Sequence, residues 1–363
     1  MTYRRDLGYW DEGRDLVDAA FYADALGRHP RVLPAAAFRS LRFSQLEDEA
    51  VWTRDWICVG AHEAIPADGD LLPFTVGTHG VHVQRMAGGI VARFNKAQHG
   101  GCRTVPLQCQ TGTKTKCSFT SCGFSRDRGA IPASDLGDGT PEMHQYLGLR
   151  PERLLTAHVR SWGPLIFVNL DVAPAWPEAE LTTLGGLGGF FGNHKSRRSD
   201  DVWLEHGANW KLMGQALVAG EATIAGNPVW MFAAATLSDG TPARAAWLFP
   251  NLVLIATDDS TAVMTLQPTG LGQTLCRLST FGADPRADRL FWRDEIRVRA
   301  ERAEAEHDDL ARWGTPYRPQ TVGAALPFQS EAAGAWMQRT IAARIARMPR
   351  EDFPQPLYQN PRG

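Results

Sequence analysis

"VWTRDWICVGAHEAIPADGDLLPFTVGTHGVHVQRMAGGIVARFN", residues 51–95, holds four short apolar runs. They are "WICVGAHEAIP", "LLPFTV", "HGVHVQRM" and "GIVARFN", parted by Pro-Ala-Asp-Gly-Asp and Ala-Gly-Gly. Each run is short, and Pro and Gly punctuate them, as strands joined by turns require. The alternation in "VHVQR" places every second side chain on one face. The same character returns in "LLTAHVRSWGPLIFVNLD", so residues 55–171 are expected to form a small all-β domain.

Before it, "DLVDAAFYADALGRHP" has apolar positions at helical spacing and stops at Gly27 and Pro30. "SQLEDEAVWTRDW" repeats the pattern after Ser44, so residues 1–54 are expected to be a helical arm packed on the C-terminal domain. Beyond it, "APAWPEAELTTLGGLGGFFGN" is rich in Pro and Gly and is expected to be a loop or linker. "ANWKLMGQALVAGEATIAG" has a helical pattern. "ARAAWLFPNLVLIATDD", "TAVMTLQPTG" and "QTLCRLSTFGA" read as successive antiparallel strands. Two helices follow: a long one through "ADRLFWRDEIRVRAERAEAEHDDLARW", and one with Ala333, Met337, Ile341 and Ile345 on a single stripe. Residues 172–363 then make a second domain, and the fold class is α+β.

The chain has 363 residues, 44% hydrophobic and 21% charged, with a formal net charge of −2. That is the composition of a soluble globular protein without a nucleic-acid footprint. The longest apolar runs are too short to span a bilayer. The charged N-terminus lacks the apolar core of a secretory signal. Six cysteines without such a signal do not make a disulfide framework. A cytoplasmic protein with reduced thiols is expected, with neither membrane nor nucleic-acid partners. No G-x-S-x-G or H-E-x-x-H occurs to anchor a hydrolase. "LGGLGGFFG" lacks the strand–turn–helix setting of a nucleotide loop. "HKSRRSDD" is expected to be a solvated loop. Cys58, Cys276, Trp203, Trp210, Trp230 and Trp247 are expected in the core.

Residues 51–95 resemble the entry into the Rieske domain of ring-hydroxylating oxygenase α subunits, a family of non-haem iron enzymes. "NWKLMGQAL" resembles the start of the helix that carries that family's mononuclear iron ligands. "DDLARWG…EAAGAWMQRTIAARI" resembles its closing helices, and the likeness runs from about residue 35 to 347. The resemblance implies a Rieske-like small all-β domain plus a helix-grip (START-like) antiparallel sheet with long helices.

The ligands do not follow. A Rieske [2Fe–2S] cluster needs Cys-x-His on one loop and Cys-x-x-His on another. At the matching positions stand Ala97 and His99, then Cys117 and Thr120, so each iron keeps one ligand. The mononuclear iron takes two histidines and a carboxylate. The histidine positions fall on Ala222 and Asn227, or in a register shifted by one on Thr223 and Pro228. The carboxylate position is Asp309 or Asp308. The family's Glu-Asn pair becomes Gln215 and Ala216, and its bridging aspartate becomes Ala219 or Gly220. Neither the [2Fe–2S] cluster nor the mononuclear iron is expected.

Four cysteines crowd into residues 102–122: Cys102, Cys109, Cys117 and Cys122, with His99 just before. These could be zinc ligands, since zinc takes four thiolates or imidazoles. A disulfide and inert thiols are the other readings. The resemblance implies a non-catalytic, pseudo-oxygenase subunit with a structural or regulatory role. It would join a catalytically complete Rieske oxygenase α subunit in a trimer-based hetero-oligomer, served indirectly by ferredoxin and reductase. One alternative is a small-molecule binding protein using the iron-free cavity. Another is an enzyme with non-standard metal ligation.

Overall fold

The structure, a computed structural model, describes residues 33, 35–39, 41–94, 155–191, 197–198, 201–220, 222–310 and 331–348. The four runs that open the sequence reading are strands: β1 (Ile57–Ala61), β2 (Leu71–Val76), β3 (His79–Met86) and β4 (Gly89–Phe94). With β5 (Thr156–Trp162) and β6 (Leu165–Asn169) they form one antiparallel sheet in the order β1-β6-β5-β4-β3-β2. The two end strands, β1 and β2, lie against each other, so the sheet nearly closes.

Ahead of it stand a short helix α1 (Leu41–Glu47) and a π-helical turn, Asp48–Trp52. Asp48 clamps the β2–β3 turn: its carboxylate accepts from the Thr78 N–H and the Thr78 hydroxyl. Gly77 sits there at φ 55°, and a Cβ would fall on the Asp48 carboxylate, so glycine is required.

Residues 173–193 were expected to be a linker, and here the structure differs. Glu178–Gly188 is a helix, α2. Glu178 and Glu180 favour its positive N-terminal end. Leu181 and Leu184 bury against Trp230 and Phe232, and Gly189 ends the helix in the left-handed conformation. Burial of two leucines overrides the weak helix propensity of the glycines.

The second sheet has eight described strands, all antiparallel: β7 (Arg197–Arg198), β8 (Val202–His206), β9 (Ala222–Gly226), β10 (Trp230–Thr236), β11 (Pro242–Leu248), β12 (Leu252–Ala256), β13 (Ser260–Gly270) and β14 (Gln273–Gly282). The order is β7-β14-β13-β12-β11-β10-β9, with β8 also on β14. Arg198 is not a solvated loop residue: β7 pairs with Phe281 and Gly282, and the Arg198 side chain is buried on Asp201. Helix α3 (Trp210–Val218) is buried along its whole length. Helices α4 (Pro285–Leu310) and α5 (Ala332–Ala346) close the described chain. The stripe Ala333, Met337, Ile341 and Ile345 is buried as the spacing predicts. No helix among the described residues is long and apolar enough to cross a membrane.

Polar contacts dovetail the two sheets. β1 bulges between Cys58 and Gly60. There the Asn251 amide accepts from the Cys58 N–H and donates to the Cys58 and Leu266 carbonyls. Arg277, buried in β14, donates to the Val59 carbonyl at 2.6 Å and stacks on Trp203. Cys58 and Cys276 are fully buried as expected, and burial pushes their thiols up to about 11 and about 12. Trp210, Trp230 and Trp247 are core residues too.

Candidate functional site

The region that the resemblance assigns to an iron site begins at α3. Asn209 caps the helix: its side-chain oxygen accepts from the Lys211 N–H, and its NH2 donates to the Phe38 and Leu271 carbonyls. Trp210 meets Trp52, Trp247 and Phe249 edge to face, at centroid distances of 5.2, 6.4 and 6.1 Å. Lys211 is wholly buried. Its ammonium lies 2.7 Å from Glu47 and within 5.1–5.4 Å of the Phe38, Trp210 and Phe43 rings. Burial pushes Lys211 down and Glu47 up, and each holds the other's charge against that pressure. Gly214 allows the Trp247 ring to lie on the helix, since a Cβ would come within 2.3 Å of it. Gln215, at the family's glutamate position, donates to Glu331.

The helix then stops. The sequence pattern predicts helix through Gly226, yet α3 ends at Val218, where Ala219 turns out at ψ 124°. The carbonyls of Leu217 and Ala219 would serve the N–H groups of residues 221 and 223 in a continuing helix. Arg299 of α4 takes both, at 3.1 and 2.9 Å, and also the Thr236 carbonyl. Glu295, one turn earlier, holds Arg299 at 2.7 Å and accepts from the Ser238 N–H and hydroxyl. Burial raises the Glu295 carboxyl, but the bonds from Ser238 and Arg299 outweigh it, and it sits below its ordinary value. Gly220 passes so close to β10 that a Cβ would lie 2.0 Å from the Ala234 carbonyl oxygen.

Ala222 therefore lies on strand β9, opposite Ala234, and not on a helix. Asn227 lies in the turn after it. Its Oδ1 accepts from the Val229 and Trp230 N–H groups at 2.7 and 3.0 Å. Its carbonyl accepts from the Trp336 indole. The next carbonyl, of Pro228, accepts from Arg344, which also forms a two-point ion pair with Asp55. Asp308 is exposed and Asp309 half-buried in the last turn of α4. Among the described residues, no three His, Cys, Asp or Glu side chains converge on a point where a metal ion could sit. Of the two positions that the resemblance assigns to histidine ligands, one is an alanine, and the other is an amide whose oxygen already takes two backbone hydrogens. His206 is the last residue of β8. It is buried, with Nδ1 3.3 Å from Glu304. A cavity of about 20 Å³ beside Phe38, Glu47, Trp52 and Trp210 has room for roughly one water.

Ala97, His99, Cys102, Cys109, Cys117, Thr120 and Cys122 lie outside the described residues. One side chain of the sheet that leads into them is unusual. His82 on β3 is fully buried, and among the described residues neither ring nitrogen has a hydrogen-bond partner. Burial, then the Arg93 charge, pushes its imidazole down to about 3. The unfolded chain takes up the proton near pH 6.5. Its stability contribution is thus complete above that pH. It declines on acidification toward the folded value, by up to about 1.4 kcal/mol per pH unit. Urea titrations between pH 7 and pH 4.5 are expected to show a shallower acid decline for His82→Leu than for the parent chain. An unchanged slope would assign the decline to other groups.

His62 and Ser161 offer no hydrolytic dyad. Nε2 of His62 is 2.9 Å from the Ser161 hydroxyl, while Nδ1 faces Arg85 at 3.5 Å. Arginine can only donate, so Nδ1 accepts and Nε2 carries the hydrogen. The imidazole then donates to the serine and cannot act as its base.

No protein-family model matches the chain. It is 25% identical over 186 residues to the oxygenase subunit of glycine betaine monooxygenase from Pseudomonas aeruginosa (strain UCBPP-PA14), covering 51% of this chain and 42% of that one. It is 27% identical over 173 residues to the α subunit of N,N-dimethyl phenylurea N-demethylase from Sphingobium sp. (strain YBL2), covering 45% and 36%. The chain thus spans less than half the length of these curated relatives. Among solved structures it resembles a quaternary ammonium Rieske monooxygenase bound to gamma-butyrobetaine, with a TM-score of 0.60 and 15% identity over 91% of this chain and 99% of that one. Naphthalene 1,2-dioxygenase from Rhodococcus sp. bound to indole gives a TM-score of 0.57 and 14% identity, covering 92% and 100%. At these identities the structures show the fold. The shared fold and the distant sequence relation together support membership of the Rieske non-haem iron oxygenase superfamily.

Proposed function

We propose that this chain is a non-catalytic subunit, a pseudo-oxygenase. In the cytoplasm it would assemble with a catalytically complete Rieske oxygenase α subunit and support or regulate it within a trimer-based hetero-oligomer. The partner, fed by ferredoxin and reductase, would hydroxylate or demethylate an aromatic or alicyclic substrate. The observation that carries this reading is the segment after α3: the iron-ligand positions Ala222 and Asn227 stand on a strand and a turn, and the Asn227 amide oxygen is already committed to two backbone N–H groups. Dioxygen activation needs an open iron site and an electron source. The cluster positions in the sequence keep one ligand per iron. The names of the curated relatives, an oxygenase subunit and an α subunit, favour a protein that works in an assembly. In this reading the second domain keeps the helix-grip plan with its cavity packed by α3 and the tryptophans. The thiols Cys102, Cys109, Cys117 and Cys122, with His99, would hold a structural zinc.

The test is co-expression of the tagged chain with a complete Rieske α subunit from the same genome, followed by affinity capture, sizing and elemental analysis. Expected results are a stoichiometric complex and, for this chain alone, about one zinc and no iron. A [2Fe–2S] absorption band from the chain alone after anaerobic purification would refute the non-catalytic reading. Absence of zinc would remove the thiol site only.

A further inference from the structure

The iron site of the fold has not merely lost its ligands; we infer that the backbone which would carry them has been rebuilt as a structural joint. Three observations carry this. First, Arg299 takes the Leu217 and Ala219 carbonyls that a continuing helix would offer to its own N–H groups. Glu295, itself held by the Ser238 N–H and hydroxyl, fixes that guanidinium from behind. Second, the chain that leaves α3 pairs with β10 as an edge strand, with Thr223 opposite Ala233 and Ala222 opposite Ala234. Gly220 passes the β10 backbone at a distance only glycine allows. Third, the turn that follows is put to use. Asn227 and Pro228 present successive carbonyls to Trp336 and Arg344 of α5, and Arg344 continues to Asp55 at the entrance of the first sheet. The segment therefore ties β10, α5 and the chain just before β1 together.

A stripped site and a rebuilt one respond differently to restored ligands. Two imidazoles need a common direction and spacing to share an ion. A residue paired into a strand and a residue in the turn beyond it, each fixed by its own backbone partners, do not provide this. The inference stands whether or not a partner subunit exists.

The test uses the full chain. The double variant Ala222→His/Asn227→His is loaded anaerobically with Fe(II), desalted and analysed for metal. The expected result is no iron above the level of the parent protein. Stable uptake of about one iron per chain, as a 2-His-1-carboxylate site requires, would overturn the inference. A second variant decides the matter if the double variant fails to fold. In Thr223→Cys/Ala233→Cys the two cysteines stand at paired backbone positions of β9 and β10, beside the register shift at Phe232 and Ala233. Mild oxidation is expected to join residues 223 and 233, detected as one cross-linked peptide by mass spectrometry. Failure to form that link in folded protein would also overturn the inference, because a helix continued through residue 223 would carry it away from β10.

Discussion

Lys211→Met is expected to lower the unfolding free energy by about 3–5 kcal/mol, because it strands the Glu47 carboxylate in the core without its partner. The ammonium it removes lies 2.7 Å from Glu47 inside a cage of three rings. The carboxylate then has to take a proton or draw water into the core. The double variant Lys211→Met/Glu47→Leu removes both charges and is expected to recover most of the loss, since a buried ion pair replaced by apolar residues of similar size is often close to neutral. Urea titrations followed by tryptophan fluorescence measure both, with Trp210 beside the substituted position as reporter. A single variant that loses under about 1 kcal/mol would show the pair to be solvated.

Asn251→Ala carries the second large effect. The amide makes three buried hydrogen bonds, to both backbone groups of Cys58 and to the Leu266 carbonyl. Truncation leaves all three without that partner, at about 1–3 kcal/mol each, so a total loss of roughly 3 kcal/mol or more is expected. The loss falls on the seam between the sheets. Amide hydrogen exchange is therefore expected to accelerate in β1 and at the start of β12 together. Acceleration in β12 alone would mean that the bulge in β1 is held by other contacts.

The sheet plan was legible because strands of this kind announce themselves. Alternation in residues 81–85, with Pro and Gly between the runs, gave β2, β3 and β4. The stripe of Ala333, Met337, Ile341 and Ile345 gave α5. Two elements misled. Residues 178–188 carry too many glycines to read as a helix, and only the packing of Leu181 and Leu184 under Trp230 and Phe232 makes them one. Residues 208–226 read as one helix because Ala, Leu, Met and Gln fit helix and buried strand alike. The decision was taken some 80 residues downstream, by Arg299. The Glu295–Arg299 spacing of four was visible on the α4 pattern as an ordinary helical ion pair. Nothing in one sequence says that its arginine reaches the carbonyls of another element. The same holds for Lys211 and Glu47, which meet across 164 positions. The course of the backbone through Ala222 and Asn227, a strand and then a turn, was not legible either.

The joint at Arg344 has a consequence for how the protein is made. Asp55 and its partner are 289 positions apart, and the Asn251 and Arg277 contacts to β1 span 193 and 218. At synthesis rates of about 5–20 residues per second, Arg344 emerges roughly 15–60 s after Asp55. Asn251 and Arg277 reach β1 earlier, but until Arg344 emerges the chain before β1 lacks its tie to α5. Contacts so distant along the chain also close slowly once available. The N-terminal half must therefore wait on the ribosome with apolar surface uncovered, a natural interval for chaperones to act. Any surface that depends on the finished seam becomes available only after α5 has been translated.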